Sequence, residues 1–329
     1  MPLPLPLILI TGIALIFGFL NGFHDSSTIT APMISSQALA PRVALSMTVL
    51  AEFAGPFLFG VAVATTIGSE MVNPADMTAA IIAAALLSAS LWTLFTRNVG
   101  LPASTSHALI GGLIGAVAVS LGLEAIHRAG LDKVVLALFV SPVLGLAVGY
   151  LVLKLTYFLA RGATPAVNTL FRRLQIGTAL ALALGHGTND AQKTMGIIAM
   201  TMVATGYVTR FQVPWWVIAL SAAAMALGTA VGGWRLIEKL GGRFYRIRPI
   251  HAFGSQLTSA GIILGATLLG GPVSTTHVVS SAIMGAGSAD RVSKVRWGVA
   301  RDIALAWLLT MPASAALAAV LYFIVDFIL

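Results

Sequence analysis

The chain has 329 residues, of which 58 % are hydrophobic and 9 % charged, and its mean hydropathy is +0.94. A soluble domain carries about 25 % charged residues, so this chain cannot cover a water-facing surface, whereas an apolar exterior suits a lipid bilayer. The net charge is +8 and there is no cysteine, which excludes disulfides and thiolate metal centres; the positive charge is distributed as membrane topology requires rather than as a nucleic-acid footprint.

A spanning helix needs about 20 mostly apolar residues. Leu3–Leu20 is the first candidate. No Lys or Arg precedes Arg42, whereas a secretory signal has a basic head and a small-residue cleavage site, so the stretch is predicted to remain as the first helix. It runs into a polar cluster, Asn21-Gly22-Phe23-His24-Asp25. Val43–Ile67, which carries Glu52, and Met77–Phe95 follow as spans. Leu101–Leu123 is apolar but opens on Pro102-Ala103-Ser104-Thr105-Ser106-His107. Val134–Phe158 spans again. Ile176–Ala204 holds a polar run around Asp190, and Trp215–Val231 spans. His251–Leu269 and Pro272–Ala286 are apolar with polar clusters, and Ile303–Val325 closes the series. The pattern predicts an all-α polytopic membrane protein with about ten membrane segments, some broken or re-entrant at the Ser/Thr clusters.

Basic residues gather in cytoplasmic loops. One group is Lys154, Arg161, Arg172 and Arg173; a second is Arg235, Lys239, Arg243, Arg246 and Arg248; a third is Arg291, Lys294, Arg296 and Arg301. Placing these inside also puts Arg42 and Arg97 inside. Glu70, Asp76, Glu124, Asp132, Arg128, Lys133 and Arg210 then fall on the other side, with no basic excess. The expected location is the cytoplasmic (inner) membrane, as a multi-pass protein.

Two landmarks occur twice. Asn21–Asp25 is echoed by Gly187-Thr188-Asn189-Asp190, and Pro102–His107 by Pro272-Val273-Ser274-Thr275-Thr276-His277. Asp25 and Asp190 are 165 residues apart, and His107 and His277 are 170 apart, so both landmarks recur in the same order at nearly the same spacing. Five crossings separate the copies, and an odd number inverts the second. Inverted repeats typify secondary transporters, whose substrate and ion sites lie near the midplane where the halves meet. The halves are expected at 1–160 and 176–329, joined by a basic cytoplasmic linker, 161–175.

Ser104-Thr105-Ser106 and Ser274-Thr275-Thr276 each follow a proline and open an apolar helix. Proline ends the preceding helix and Ser/Thr caps the next. Such a start presents unpaired N–H groups and a partial positive charge, which suit phosphate or sulfate. One copy alone would be an ordinary cap; two matched copies can clasp a tetrahedral oxyanion. Asp25 and Asp190 are carboxylates in an apolar interior, where each costs at least ~2.5 kcal/mol and normally faces a partner or a water-filled cavity. With Asn21, Thr28, Asn189 and Gln192 nearby they form a hard-oxygen set for Na⁺, or carry a proton; the alternative is a structural ion pair of Asp190 with Lys193. His24, His107, His186 and His277 lie near these clusters, as satisfied buried imidazoles or as proton relays. Glu52 has no acidic counterpart in the second copy and ranks below the two aspartates.

At these motifs the sequence resembles the inorganic phosphate transporter (PiT) family. Gly185-His186-Gly187-Thr188-Asn189-Asp190-Ala191-Gln192-Lys193-Thr194-Met195-Gly196 looks like its second signature, Asn21–Asp25 is similar to its first, and Pro102–His107 and Pro272–His277 resemble its paired hairpins. The resemblance implies phosphate uptake by symport with Na⁺ or H⁺, no further cofactor, and a homodimer. It implies that Ser104, Thr105, Ser106, Ser274, Thr275 and Thr276, with Gln192, contact phosphate. It implies that Asn21, Asp25, Thr28, Asn189 and Asp190 serve the coupling ion, with Asp25 and Asp190 as candidate Na⁺ ligands. Thr28 departs from the family pattern, which carries asparagine there, and offers one hydroxyl oxygen in place of an amide.

The residues alone leave rivals. A sulfate or other oxyanion permease would share the fold, and the cargo could be a metal–phosphate complex. An intramembrane His/Asp metalloenzyme would need one asymmetric cluster, whereas the polar groups come as a symmetric pair. A channel usually draws its pore from several subunits. No G-x-x-x-x-G-K-[ST] loop occurs, which argues against a self-contained ATP-driven pump.

Overall fold

The computed structural model describes residues 3–101, 103–240, 248–295 and 297–328. Pro102, Arg243, Arg246 and Arg296, which enter the expectations above, lie outside the described residues, as do the side chains of Arg235, Lys239 and Lys294. The elements in chain order are α1 (Leu5–Ser35), α2 (Pro41–Leu58), α3 (Ala62–Thr65), α4 (Ala79–Asn98), α5 (Thr105–Ser120), α6 (Arg128–Leu159), α7 (Val167–Ala204), α8 (Trp215–Leu240), α9 (Pro249–Leu268), α10 (Thr275–Asp290) and α11 (Trp297–Ile328). Proline opens α2 and α9, where its missing N–H costs nothing and its φ is already helical. Thr78 caps α4 by accepting from Ile81 N at 3.3 Å.

Five helices are by themselves long and apolar enough to cross a bilayer: α1, α4, α6, α8 and α11. A sixth span is α2 with α3 and the π-helical turn Thr66–Glu70, which meet at a 69° bend. The stretch Val43–Ile67, expected as one straight span, is therefore broken. Gly60 takes φ +79° there, a conformation that costs glycine nothing. Conversely, α7 runs unbroken for 38 residues through its polar motif. Its polar side chains find partners in neighbouring helices, so its backbone ladder stays intact. Residues 185–202 of α7 are all buried, which makes it the central helix of the molecule.

The packing repeats with the halves exchanged. α1 packs on α8 as α7 packs on α2; α1 meets α4 as α7 meets α9; α5 lies on α11 as α10 lies on α6; α4 touches α11 as α9 touches α6. The self-related pairs, α1 with α7 and α2 with α8, lie together at the centre. Each half supplies five helices of 16 residues or more in matching order, and with the exchanged packing this is the pseudo-symmetry of inverted repeats. α5 and α10 have 16 residues each, about 24 Å at 1.5 Å per residue, which is short of the about 30 Å hydrocarbon layer. Outward faces of α6 and α11 carry exposed Leu136, Val143, Leu151, Leu309 and Phe323, the surface a lipid solvent favours.

Two equivalent glycines let these helices meet. A Cβ at Gly22 on α1 would run into Met225 O of α8, and one at Gly187 on α7 into Glu52 O of α2. Close backbone approach at small residues holds membrane helices together by dispersion. Gly22→Val and Gly187→Val should each destabilise the protein, on the order of 1–3 kcal/mol for overpacking, read as a lowered Tm in detergent. Gly12→Ala, with open space around it, serves as the control. An unchanged Tm in both valine variants would remove these contacts from the account of the fold.

Candidate functional site

The two Ser/Thr clusters form matching helix starts. Ser104 (φ −96°, ψ 121°) and Ser274 (φ −87°, ψ 103°) are extended, and their hydroxyls accept from His107 N at 3.2 Å and His277 N at 3.3 Å. The N–H groups of Thr105, Ser106, Thr275 and Thr276 have no intrahelical acceptor, as at any helix start. The starts meet at the centre of the protein. Ser106 Oγ donates to Val273 O at 3.0 Å. The rings of His107 and His277 lie 4.6 Å apart, and His277 stacks on Trp307 at 3.7 Å. Thr105 Oγ1 donates to Asn21 Oδ1 at 2.6 Å, tying the first start to α1.

The carboxylates face the second start. Thr276 Oγ1 donates to Asp25 Oδ1 at 2.6 Å. Thr275 Oγ1 donates to Asp190 Oδ2 at 3.0 Å and lies 3.4 Å from Asp25 Oδ2. One hydroxyl proton thus stands between two carboxylates from opposite halves. His186 Nε2 faces the same point, 3.3 Å from Asp190 Oδ2 and 3.9 Å from Asp25 Oδ2. Its other nitrogen, Nδ1, is 2.7 Å from Glu52 Oε1. An ionised carboxylate only accepts, so Nδ1–H donates to Glu52, which holds the ring with Nε2 facing the two aspartates. Asp25, His186 and Asp190 together offer three ligand atoms within 4.8 Å of one another. Asp25 and Asp190 are each 1 % exposed, so the arrangement is occluded from both sides.

The remaining side chains of the α7 motif fan outward. Lys193 is fully buried and donates to Asp190 Oδ1, to Ser106 Oγ at 2.5 Å and to Val273 O at 3.2 Å. Asn189 Nδ2 donates to Thr267 Oγ1 at 2.8 Å and Gly271 O at 3.2 Å, at the end of α9. Gln192 lies two residues from Asp190, and such residues do not face each other on a helix. Its Oε1 accepts from Val63 N at 2.7 Å and Ala64 N at 3.2 Å, and its Nε2 donates to Gly60 O at 2.8 Å. It staples the break between α2 and α3. Thr28 is half-buried, and among the described residues it has no hydrogen bond to either carboxylate. His24 Nε2 sits 3.1 Å from Ala103 O, and Arg97 lies over the Phe23 ring at 3.6 Å. On the other side of the molecule Lys133 pairs with Glu70 at 2.9 Å.

Two members of the centre carried weak signals in the sequence. Glu52 is an acid in an apolar span, which demands a partner, and that partner is His186. Lys193 stands three residues beyond Asp190, the spacing of a helical ion pair; its reach to α5 and to Val273 has no sequence signal.

A model of the phosphate transporter family matches residues 21–165 and 160–318. Among curated proteins, a probable low-affinity inorganic phosphate transporter of Rhizobium meliloti (strain 1021) is 42 % identical over 318 residues, covering 96 % of this chain and 95 % of its own. One of the same description from Bacillus subtilis (strain 168) is 41 % identical over 325 residues, covering 98 % and 97 %. A solved structure described as "The sodium-dependent phosphate transporter" has a similar fold, with a TM-score of 0.87 and 25 % identity over 98 % of this chain and 100 % of that one.

The position of Gln192 generates a test. Gln192→Leu would leave two amide N–H groups and one carbonyl without partners, and each such loss costs about 1–3 kcal/mol. The expected result is a lowered Tm in detergent. A changed phosphate affinity at unchanged Tm would move Gln192 from the helix break into the anion site.

Proposed function

The chain belongs to the phosphate transporter family, and on that premise we propose that it imports inorganic phosphate by alternating access, in symport with a monovalent cation, Na⁺ or H⁺, taken up at Asp25 and Asp190. Family membership makes it a transporter rather than an intramembrane metalloenzyme. The observation that carries the cation assignment is the meeting of Asp25 Oδ2 and Asp190 Oδ2 around a single hydroxyl proton, with His186 Nε2 3.3 Å from Asp190 Oδ2. Two carboxylates this close in a dry interior repel one another; Lys193 offsets the charge of Asp190, and a cation taken up beside Asp25 offsets the rest.

The same geometry supplies the coupling. Thr275 and Thr276 give their hydroxyl protons to the carboxylates. A cation on Asp25 and Asp190 satisfies those oxygens and frees both hydroxyls to turn toward an anion. The anion sits where the α5 and α10 starts meet, with unpaired N–H groups on either side. Each ligand thereby raises the affinity for the other, by the same factor in both directions. Phosphate is favoured over sulfate by the neighbouring carboxylates: at neutral pH phosphate keeps an O–H that can donate to them, and sulfate has none. Residues 1–160 and 176–329 would rock about this centre, linked by 161–175 on the cytoplasmic side. The cytoplasmic membrane is the proposed location and a homodimer the proposed assembly.

Radiolabelled phosphate uptake into proteoliposomes tests the reading, with an inward Na⁺ or an inward H⁺ gradient, with and without Mg²⁺, and with sulfate as competitor. Uptake driven by one gradient and resistant to sulfate is expected, and it names the ion; the Mg²⁺ arm separates free phosphate from a metal complex. Accumulation of sulfate without phosphate would overturn the substrate. Asp190→Asn should abolish gradient-driven uptake in a folded protein, and normal uptake by it would remove the carboxylates from the coupling. Thr275→Ala should weaken phosphate affinity about tenfold, the loss of roughly one hydrogen bond to a charged group; an unchanged affinity would clear the α10 start of the anion site.

A further inference from the structure

The two halves are not chemically equal at their equivalent positions. The offset that aligns Asp25 with Asp190 also aligns Asn21 with His186 and Thr28 with Lys193. The offset that aligns His107 with His277 aligns Ser106 with Thr276 and Ala103 with Val273. In the second half, Asp190 Oδ1, Ser106 Oγ and Val273 O converge on one point, and the Lys193 ammonium fills it. These ligands are a carboxylate, a hydroxyl and a carbonyl, the hard-oxygen set that binds a monovalent cation, and they use all three ammonium donors. In the first half the equivalent atoms are Asp25 Oδ1, Thr276 Oγ1 and Ala103 O. There the hydroxyl donates to the carboxylate directly at 2.6 Å, the carbonyl meets His24 Nε2 at 3.1 Å, and the residue in register with Lys193 is Thr28, which carries no charge.

We propose that the Lys193 ammonium is a built-in cation occupying the second half's ion position, so that only the first half's position, at Asp25, exchanges its ion with solution and the transporter moves one cation fewer per phosphate than two equal halves would. The side chain is tethered to α7 and does not cross the membrane, so its charge balances Asp190 in every state without being transported. Lys193 is thus a residue that sets stoichiometry. Replacing it with a short neutral oxygen ligand opens a second exchangeable position.

This inference rests on the cation-coupled reading above, and the experiment separates the two. Wild-type uptake is measured first; its absence overturns the transport reading alone. The number of cations, and hence of charges, moved per phosphate is then obtained from the reversal potential in proteoliposomes for wild type and Lys193→Asn at one pH. The expected result is a rise of one cation and one positive charge per phosphate in the variant, whichever protonation state of phosphate is carried, with a steeper dependence of uptake on the driving ion. An unchanged ratio in a variant that still takes up phosphate overturns the proposal. Should Lys193→Asn fail to assemble or to transport, Lys193→Ala is purified in methylammonium or Na⁺ and its melting followed as the cation is removed. A saturable rise of Tm with either cation, beyond the rise that wild type shows through its Asp25 position, supports an ion position at Asp190. A rise no larger than that of wild type overturns it, and this readout requires no transport.

Discussion

Asp25 and Asp190 come from opposite halves of the chain and end within reach of one hydroxyl, that of Thr275. Two carboxylates this close, each almost wholly removed from water, would drive the halves apart if nothing else were present. The surrounding structure answers that repulsion. A helix start with its partial positive charge faces the pair. Thr276 gives its proton to one member, Lys193 gives an ammonium to the other, and His186, steadied by Glu52, stands beside both. All of these partners come from the chain itself.

Duplication explains how so many polar groups came to be stacked in an apolar protein. Each half alone would leave an acid and a half-span helix start without a counterpart. Interlocked, the first half's acid meets the second half's helix start, and the first half's Ser106 completes the surroundings of the second half's Lys193. The exchange of partners that governs the helices, α1 on α8 and α7 on α2, is repeated at the scale of single hydrogen bonds. The inherited symmetry sets the geometry, and departures from it, His186 for Asn21 and Lys193 for Thr28, set the charge.

Much of this could be read in advance where repetition marked it. Asp25, Asp190 and the two Ser/Thr starts stand out because each occurs twice, and the structure brings them together. Glu52 ranks below the aspartates in the sequence because it is not repeated, and its partner His186 occupies a position that differs between the copies. Gln192 looked like a ligand as an amide beside an acid; helical geometry turns residue 192 away from 190, toward the α2–α3 break. That break was itself hidden in an apolar run, since hydropathy does not register a glycine with positive φ. The basic stretch 161–175 reads as a linker by composition, yet from Val167 onward it already forms the first turns of α7. Basic side chains cost a helix little where it leaves the membrane.

A single turn of α7, from Asn189 to Lys193, touches the end of α9, the start of α10, the break after α2 and the start of α5. No face of that turn is left to vary alone. Across descendants of this protein, an exchange at any of these positions would have to be matched by a change in a distant segment of the chain. The turn should therefore be inherited as a block, together with residues near 60, 106, 267 and 273, while the lipid-facing sides of α6 and α11 drift freely. Diversification of the cargo or the driving ion would then proceed by jumps between compatible sets of residues rather than by single substitutions.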